Sequence, residues 1–428
     1  MPAAPSLLIV PYRSKTGKLY SQIPTSGAGD FTVTRDTTAT RFNSAGLIES
    51  VASGIPRLDY YTSGGTAGCP ALLVEPAATN GILNSADTRT SWVCWSGFTS
   101  GAIDVIGVSG TNLTVAVSGS NIGAGAGVGN LSRSTNNVAL ASGSTYTISF
   151  LLKKTGSHMV GGYYATITGA AAGDLGGGFN VSGSFSSGSF FTSNFTTNRI
   201  RRVEQWGTDV FRCSETFTMS ASGTLTTFRV GPITSVTNAD NPAVGAGIGF
   251  AAPQIELGSV PTSFIPTTAA SGSRSADVVS VSGAVSGSIG QTEGVLYIEC
   301  ESNNGEDDVF NINRSAANAI TVYKNANNAY LGRIYHSSTS IIFTSASGVT
   351  GTVKIAIAYK SGDSTMYLNG SRVGTLNTTA ITFGAALNSL GVDKSSAFFS
   401  GIKPSRIRAV ALYNTRLTDA ELATLTTP

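Results

Sequence analysis

The sequence predicts an all-β protein, and three observations support that prediction. Apolar and polar residues alternate through Lys354–Lys360 and again through Thr365–Leu368, which is the two-residue period of a half-buried strand. Asn369-Gly370 follows, a pair that favours a tight hairpin turn because both residues tolerate positive φ. The chain also has 51 glycines and only 12% charged residues, about half the usual share. Such a surface is hydrated by hydroxyls and amides.

Length and charge bound the architecture and exclude two classes of partner. With 428 residues, the chain is expected to form two or three domains. A net charge of +3 without a basic stripe gives no basis for nucleic-acid binding. No apolar run reaches the about 18 residues that a membrane helix needs. Leu7–Val10 is too short for the core of a signal peptide, so we expect no export by the usual secretory route.

Residues 1–88 are predicted to form a strand-rich segment, with short strands at Phe31–Arg35, Thr38–Phe42 and Leu47–Val51. Conspicuous blocks follow at Pro56–Tyr60 (Pro-Arg-Leu-Asp-Tyr) and at Cys69–Asn80. Their order resembles a segment common in tailed-bacteriophage fibre and virion proteins. That resemblance implies an attachment segment and a place on a virus particle, and it says nothing about a ligand.

Residues 89–266 are predicted to form the first of two antiparallel β-sandwiches. Thr145–Lys154 is its clearest strand, alternating at first and then almost continuously apolar. Trp206–Phe217 supplies another strand. The unit ends in Ala252–Gly258 and Pro261–Thr267, which resemble the last strand of the jelly-roll, carbohydrate-binding-module-like domains of phage fibres. Trp92 and Trp206 fall where such jelly rolls keep core tryptophans.

Residues 267–290 are small and polar, as a linker or crossover strand would be. Residues 291–428 are predicted to form the second sandwich, beginning with the alternating strand Glu293–Glu299. The hairpin around Asn369-Gly370, the strand Ile407–Asn414 and the capping segment Leu417–Leu422 resemble the concanavalin A-like fold of the laminin-G and pentraxin type. This resemblance implies glycan binding or adhesion.

The cysteines do not form a metal-site pattern. Cys69, Cys94, Cys213 and Cys300 are widely spaced, without a Cys-x-x-Cys pair or an adjacent histidine. Two interpretations stay open: small buried apolar side chains, or a Cys94–Cys213 disulfide inside the jelly roll.

The sequence favours a protein that is not an enzyme. The chain has two histidines, His158 and His336, and no Gly-x-Ser-x-Gly nucleophile motif. Among its 24 acidic residues, no spacing singles out a carboxylate pair for glycoside hydrolysis.

One acidic cluster admits two interpretations. Glu306, Asp307 and Asp308 lie near several asparagines, and oxygen ligands at this density are suited to calcium. The alternative is a solvated acidic loop between two strands, since the cluster lacks the regular spacing of a calcium-binding loop.

Aromatic residues near turns are the candidate sugar contacts. Sugar rings stack on flat aromatic faces, so Trp95, Tyr163 and Tyr164 are predicted glycan-binding residues, with burial in the core as the alternative.

Together these patterns predict a phage virion structural protein, a tail or head fibre, that acts as a non-enzymatic adhesin for host-surface or environmental glycans. Its expected partners are other virion proteins, host glycans and further copies of itself as a homotrimer. It would be assembled in the host cytoplasm and found on the extracellular particle. The alternatives are a purely structural capsid-decoration protein and a polysaccharide depolymerase tailspike. A secreted bacterial adhesin is disfavoured, because no signal peptide is recognised.

Overall fold

A computed structural model describes residues 4–61, 67–95, 97–117, 131–133, 136–181, 186–188, 196–236, 243–302, 307–313, 318–337, 339–394 and 403–428. The fold is all-β, as the sequence predicted. Within the described residues, no helix has the length and apolar character needed to span a membrane.

The strands of the N-terminal segment are β1 (Leu7–Ile9), β2 (Ser14–Lys15), β3 (Lys18–Leu19), β4 (Phe31–Thr34), β5 (Ala39–Phe42), β6 (Ile48–Val51), β7 (Leu58–Asp59), β8 (Ala71–Val74) and β9 (Ala78–Asn80). Those of the middle region are β10 (Val93–Cys94), β11 (Phe98–Val105), β12 (Val108–Val115), β13 (Leu131–Arg133), β14 (Val138–Leu140), β15 (Thr145–Thr155), β16 (Val160–Thr168), β17 (Gly173–Asn180), β18 (Ser186–Gly188), β19 (Thr196–Gln205), β20 (Val210–Met219), β21 (Gly223–Pro232) and β22 (Gly247–Leu257).

The C-terminal part supplies β23 (Gly272–Arg274), β24 (Val278–Ser282), β25 (Glu293–Ser302), β26 (Asp307–Ile312), β27 (Ala319–Lys324), β28 (Tyr330–His336), β29 (Thr339–Thr344), β30 (Val353–Lys360), β31 (Ser364–Leu368), β32 (Ser371–Asn377), β33 (Ser389–Asp393) and β34 (Ser405–Tyr413). A 3₁₀ helix covers Ala284–Ser288, and the α-helix α1 covers Asp419–Thr426.

The middle region forms a sandwich whose two sheets are built from its own strands. One sheet has the order β10-β13-β21-β16-β17-β18, with β14 also paired to β21, and the other has the order β11-β12-β22-β15-β20-β19. Their inner faces pack around aromatic side chains that include Phe150, Phe179 and Phe228. Each of these sheets contains only strands β10–β22, but the core between them also includes the buried side chain of Ile82 from the N-terminal segment.

The C-terminal sandwich borrows strands from the N-terminal segment. Its first sheet runs β32-β31-β30-β25-β34-β8-β7, and β1 pairs with β34; its second runs β2-β3-β4-β24-β33-β26-β27-β28-β29. Leu7 and Phe31 from the N-terminal segment lie in the same buried cluster as Leu296 and Phe310. The segment predicted for attachment therefore completes this sandwich, and the predicted linker contains β24, a strand within it.

The predicted hairpin is present. Leu368 pairs with Ser371, so Asn369 and Gly370 form a two-residue connection with φ values of 48° and 82°. Two successive positive φ values are the geometry that this residue pair favours. The capping segment is also present, since α1 begins with a capping box between Thr418 and Glu421 and buries Leu422 against the outer face of the first sheet.

A buried ion-pair network joins the parts of the chain. Nη1 of Arg57 lies 2.6 Å from a carboxylate oxygen of Glu75, and Nη2 of Arg57 donates to Asp277. Arg35 also pairs with Asp277, at 3.0 Å, and Arg274 pairs with Glu75, at 3.1 Å. Burial opposes the charge on Glu75, but Arg274 and Arg57 hold the pKa of its carboxyl well below its usual range. Arg57 lies in the Pro56–Tyr60 block and Glu75 in the Cys69–Asn80 block, so both blocks contribute to this network.

All four cysteines are free, which excludes the Cys94–Cys213 disulfide in this structure. Cys213 and Cys300 are buried, as the alternative interpretation expected, whereas Cys69 is exposed and Cys94 is half-buried.

Candidate functional site: a cleft at the junction

A cleft of about 470 Å³ opens where the N-terminal segment and the two sandwiches meet. Its walls come from β5, from the end of β19 with the following Trp206, from the loop Val260–Phe264, and from Glu301 and Arg406 of the C-terminal sandwich. No single part of the chain builds this site, and its shape depends on how the parts are held together.

Three aromatic rings form one side of the cleft. The Phe42 and Trp206 ring centroids are 4.9 Å apart in an edge-to-face arrangement, and Tyr61 lies 5.4 Å from Phe42 and 5.8 Å from Trp206. Phe42 and Trp206 are buried in a separate apolar cluster with Val105, Leu151 and Phe264 beneath the cleft, and Tyr61 packs against it. This packing fixes the rings, so the surface they offer is preformed.

Two arginines stack on these rings. The guanidinium carbon of Arg212 lies 4.7 Å from the Trp206 ring centroid, and that of Arg406 lies 4.6 Å from the Tyr61 ring centroid. A planar guanidinium group stacked on an aromatic face keeps its N–H groups available around its edge. The cleft therefore places hydrogen-bond donors beside the half-buried ring of Tyr61, whereas Trp206 is only 6% exposed and Arg212 covers one of its faces.

Arg406 is balanced by a carboxylate. Its Nε donates to Oδ2 of Asp59 at 2.8 Å, and Oδ1 of Asp59 accepts from the backbone N–H of Phe42 at 2.7 Å. Burial opposes the charge on Arg406, but Asp59 and then Glu301 outweigh that effect and raise its pKa. Burial, reinforced by Glu204, raises the pKa of Tyr61, so its hydroxyl stays a neutral donor at physiological pH.

Arg212 differs from Arg406. It is only 7% exposed, and its Nη2 donates to Oγ of Ser149 at 3.1 Å and to the carbonyl of Thr262 at 2.5 Å. Within the described part of the chain, no carboxylate oxygen lies within salt-bridge distance of it. Burial lowers the pKa of Arg212, although Glu204, Glu256 and Glu75 act in the opposite direction.

The predicted glycan contact Trp95 lies outside the cleft. Its ring is 46% exposed after β10, and its Nε1 donates to Oγ of Ser132 at 2.7 Å. An exposed ring held by one hydrogen bond is suited to stacking, so Trp95 stays a predicted contact, separate from the cleft.

Tyr163 and Tyr164 are fully buried, which corrects the prediction for them. The Tyr163 ring packs 5.8 Å from Phe150 inside the jelly roll, and its hydroxyl donates to Glu215 at 2.9 Å. The Tyr164 ring is covered by the guanidinium group of Arg229 at 4.9 Å. Neither ring offers a face to a sugar, because on the central strand β16 Tyr163 points into the core between the sheets, while Tyr164 points to the opposite face and is covered by Arg229.

Of the three predicted calcium ligands, the structure describes Asp307 and Asp308. Glu306 lies outside the described residues, and Asp307 and Asp308 are buried at the start of β26. Oδ1 of Asp307 accepts from Nζ of Lys394 at 2.5 Å, and its Oδ2 accepts from Oγ of Ser405 at 2.5 Å. These contacts correct the prediction for Asp307, whose carboxylate is a buried partner of Lys394. Among the described residues, no three His, Cys, Asp or Glu side chains form a group that could hold a metal ion.

The cleft residues were not predicted from the sequence as a site. Asp59 lies in the Pro56–Tyr60 block and Tyr61 follows it directly. That conspicuous block was the feature of the sequence that could have indicated a site here. Trp206 was predicted to be a core residue, and its side chain is indeed almost fully buried. The sequence alone could not indicate that these residues meet Arg406, which is 347 positions from Asp59.

No protein-family model matches the chain, and no curated protein matches it in sequence. Solved structures resemble parts of it. The Ruminococcus gnavus IT-sialidase CBM40 is 14% identical over 32% of this chain and 84% of its own, with a TM-score of 0.27. Mouse laminin α1 domains LG4-5 are 10% identical over 69% and 91%, with a TM-score of 0.24. A Trypanosoma rangeli sialidase complex is 9% identical over 92% and 77%, with a TM-score of 0.27. Likeness at these scores carries no argument about function.

Proposed function

We propose that this protein is a non-enzymatic adhesin that binds a glycan in the junction cleft. The observation that supports this most directly is that the half-buried ring of Tyr61 lines the cleft beside the guanidinium groups of Arg406 and Arg212. Sugar rings present C–H faces that pack on aromatic rings, and their hydroxyls accept hydrogen bonds from oriented donors. The cleft volume of about 470 Å³ is also in the range of small-ligand pockets.

The proposal that the protein is not an enzyme is supported by the ion pairs of two carboxylates in the cleft. Asp59 is paired with Arg406, and Glu75 is paired with Arg57 and Arg274. A general acid in a glycosidase needs a raised pKa, whereas the pKa of Glu75 is lowered. Glu204 and Glu301 also line the cleft, so release of oligosaccharide from a polysaccharide by purified protein would favour the depolymerase alternative.

The biological setting we propose is a bacteriophage virion, with the protein as a homotrimeric tail or head fibre. Its support is the order of the N-terminal motif blocks in the sequence. Gold-antibody labelling of intact particles by electron microscopy tests it: label at the tail tip supports host attachment, and label over the head supports a head fibre or decoration role. A protein absent from the particle would contradict this setting. Sedimentation of the purified protein tests the trimer.

Glycan binding is tested with Tyr61→Ala and a matched control, Tyr335→Ala. Both tyrosines are half-buried and carry a stacked arginine, but Tyr335 lies on β28, outside the cleft. We expect wild-type protein and Tyr335→Ala to bind the same glycans on an array and Tyr61→Ala to lose them. Retention of every glycan by Tyr61→Ala would exclude the cleft as the binding site.

A further inference from the structure

We propose that the edge strand β29 (Thr339–Thr344) is a contact between two copies of this chain, which pair their β29 strands antiparallel about a twofold axis at Ile342. The sheet then continues from one copy into the other. An exposed edge strand is a template for such pairing, because its outward backbone N–H and C=O groups have no partner. This inference goes beyond the proposed function and does not rest on it, since the cleft is lined by other elements.

The outer edge of β29 has no protein partner within the described ranges of the chain. β29 is the last strand of its sheet and pairs with β28 over six residue pairs without a register shift. The backbone N–H of Ser345 donates to the carbonyl of Tyr330, next to β28. Hydrogen-bonding direction alternates along an antiparallel strand, so Ser340, Ile342 and Thr344 direct their backbone groups away from β28.

The other long edge strands have features that discourage pairing, and β29 has none of them. β19 contains Glu204 and shifts register against β20, and β32 contains Arg372 and a positive φ of 69° at Gly374. β11 contains Gly101, which weakens a strand, and Asp104. The sequence of β29 is Thr-Ser-Ile-Ile-Phe-Thr, without charge, glycine or proline. Since charges and bulges protect natural sheet edges, an edge of this composition is expected to be covered in the assembled protein.

The strand is complementary to itself when the axis passes Ile342. Ile342, which is 44% exposed, then faces its own copy on the outer side of the sheet, and Ser340 faces Thr344 on the same side. On the core side, Ile341 faces Phe343, and both are buried in the sandwich. Apolar pairs and hydroxyl pairs placed opposite each other stabilise antiparallel strands. The outward backbone groups supply about six hydrogen bonds across the contact.

Charge does not oppose this pairing. β29 is uncharged, so two copies meet without like charges face to face. Arg333 of β28 is the cross-strand neighbour of Ile342 and stacks on Tyr335. Strand spacing places the two Arg333 positions about 14 Å apart across the contact, which exceeds the screening length of about 8 Å in physiological salt. A second copy therefore supplies a matching residue at every position of the strand.

The symmetry of the contact restricts the number of chains. Both partners use the same surface in a twofold contact, so copies are joined in pairs. In a homotrimeric fibre, the contact joins two trimers, and the assembly again has an even number of chains. Because one strand is a small interface, the association should depend on protein concentration.

The test combines sedimentation velocity and hydrogen exchange on the full-length protein over a wide range of concentrations. We expect the sedimenting species to reach an even number of chains as the concentration rises. Over the same range, exchange at the backbone amides of Ser340, Ile342 and Thr344 should slow by about tenfold or more, because these amides become hydrogen-bonded across the contact.

Two variants and one control assign the association to β29. Ile342→Lys and Ile342→Glu should each weaken it by about tenfold or more, because like charges then lie directly opposite each other. An equimolar mixture of these two variants should associate again, since Lys faces Glu. Ile200→Lys should leave association unchanged, because Ile200 is 49% exposed on a different edge strand, β19. Both Ile342 variants should keep the wild-type melting temperature, since that side chain is exposed.

Four outcomes would overturn the inference. They are species of only one or only three chains at every concentration, an association that both Ile342 variants retain, edge amides that exchange equally fast in the single chain and in the assembly, and a mixture of the Lys and Glu variants that stays apart. None of these outcomes bears on the cleft, whose glycan binding is measured separately on the array.

Discussion

Arg57 and Asp277 lie 220 positions apart in the sequence, yet the guanidinium group of Arg57 donates to the buried carboxylate of Asp277. The same guanidinium group pairs with Glu75, whose Oε1 also accepts from the backbone N–H of Ser263 at 2.7 Å. These contacts join the N-terminal segment, the end of the jelly roll and the start of the C-terminal sandwich next to the cleft. The network therefore holds together the parts of the chain that form the cleft.

Removing one partner of the network should strongly destabilise the protein. We expect Arg57→Met to lower the free energy of unfolding by about 3–5 kcal/mol, because it leaves Glu75 and Asp277 buried without their shared cation. The measurement is urea denaturation. Arg89→Met is the matched control, since Arg89 pairs with Asp87 on the surface, and it should change stability by less than about 1 kcal/mol. Equal effects of the two changes would show that the buried network is not important for stability.

Stability should fall in acid through Glu75. Its folded pKa is lowered from the usual 4.5, so the stabilisation is complete above the unfolded value and is lost as the pH falls below it towards the folded value. We expect the wild-type melting temperature to drop below about pH 4.5. Glu75→Gln should be less stable at neutral pH and show a shallower decline in acid. Parallel pH profiles for the two proteins would contradict this assignment.

A second buried pair, Lys394–Asp307, should stabilise the C-terminal sandwich. Nζ of Lys394 donates to Asp307, to the carbonyl of Asp308 and to Ser405, so the ammonium group has a full set of acceptors. Lys394→Met should cost about 3–5 kcal/mol of stability. Lys360→Met, at the surface pair with Glu293, should cost less than about 1 kcal/mol, measured by the same denaturation. Similar losses of stability in Lys394→Met and Lys360→Met would contradict a special contribution of the buried Lys394–Asp307 pair.

The same contacts bear on calcium. Since both oxygens of Asp307 accept from protein donors, we expect EDTA to leave the melting temperature unchanged. A clear decrease on chelation, reversed by added calcium, would restore the predicted site around Glu306 and Asp308.

The two sandwiches should differ in their ability to fold alone. Residues 89–266 contain every strand of both jelly-roll sheets and should fold as an isolated fragment. Residues 291–428 lack β1, β7 and β8 from one sheet and β2, β3, β4 and β24 from the other. This fragment should be unfolded or insoluble, because its core loses Leu7, Phe31 and Val279. Circular dichroism of the two fragments tests both statements, and a cooperative melt of 291–428 would contradict the second.

Trp95 and Tyr61 distinguish two locations for glycan binding. We expect Tyr61→Ala to lose binding and Trp95→Ala to retain it, because the cleft surrounds a ligand on several sides while the Trp95 ring is a single exposed face. Retention on an immobilised-glycan column measures this. Loss of binding in Trp95→Ala alone would transfer the site to the end of β10 in the jelly roll.

Local patterns in the sequence were sufficient for much of the fold. The alternation in Lys354–Lys360 and the Asn369-Gly370 pair predicted the hairpin, and Thr145–Lys154 predicted β15. These features are local, because strand periodicity and turn conformation depend on neighbouring residues. Tyr163 and Tyr164 were misassigned because turn proximity in the sequence does not reveal whether two sheets cover a position.

The sequence by itself determined the all-β class and the tight turn at Asn369-Gly370, since short-range backbone and side-chain preferences specify these, and the two sandwiches were predicted from resemblance to known domains. Only the tertiary structure decided that strands from the first 80 residues complete the C-terminal sandwich, that Arg57 meets Asp277, and that Arg212 lies buried against Trp206. Each of these depends on contacts between residues far apart in the chain, and burial, which makes their charges energetically important, arises only when the sheets pack.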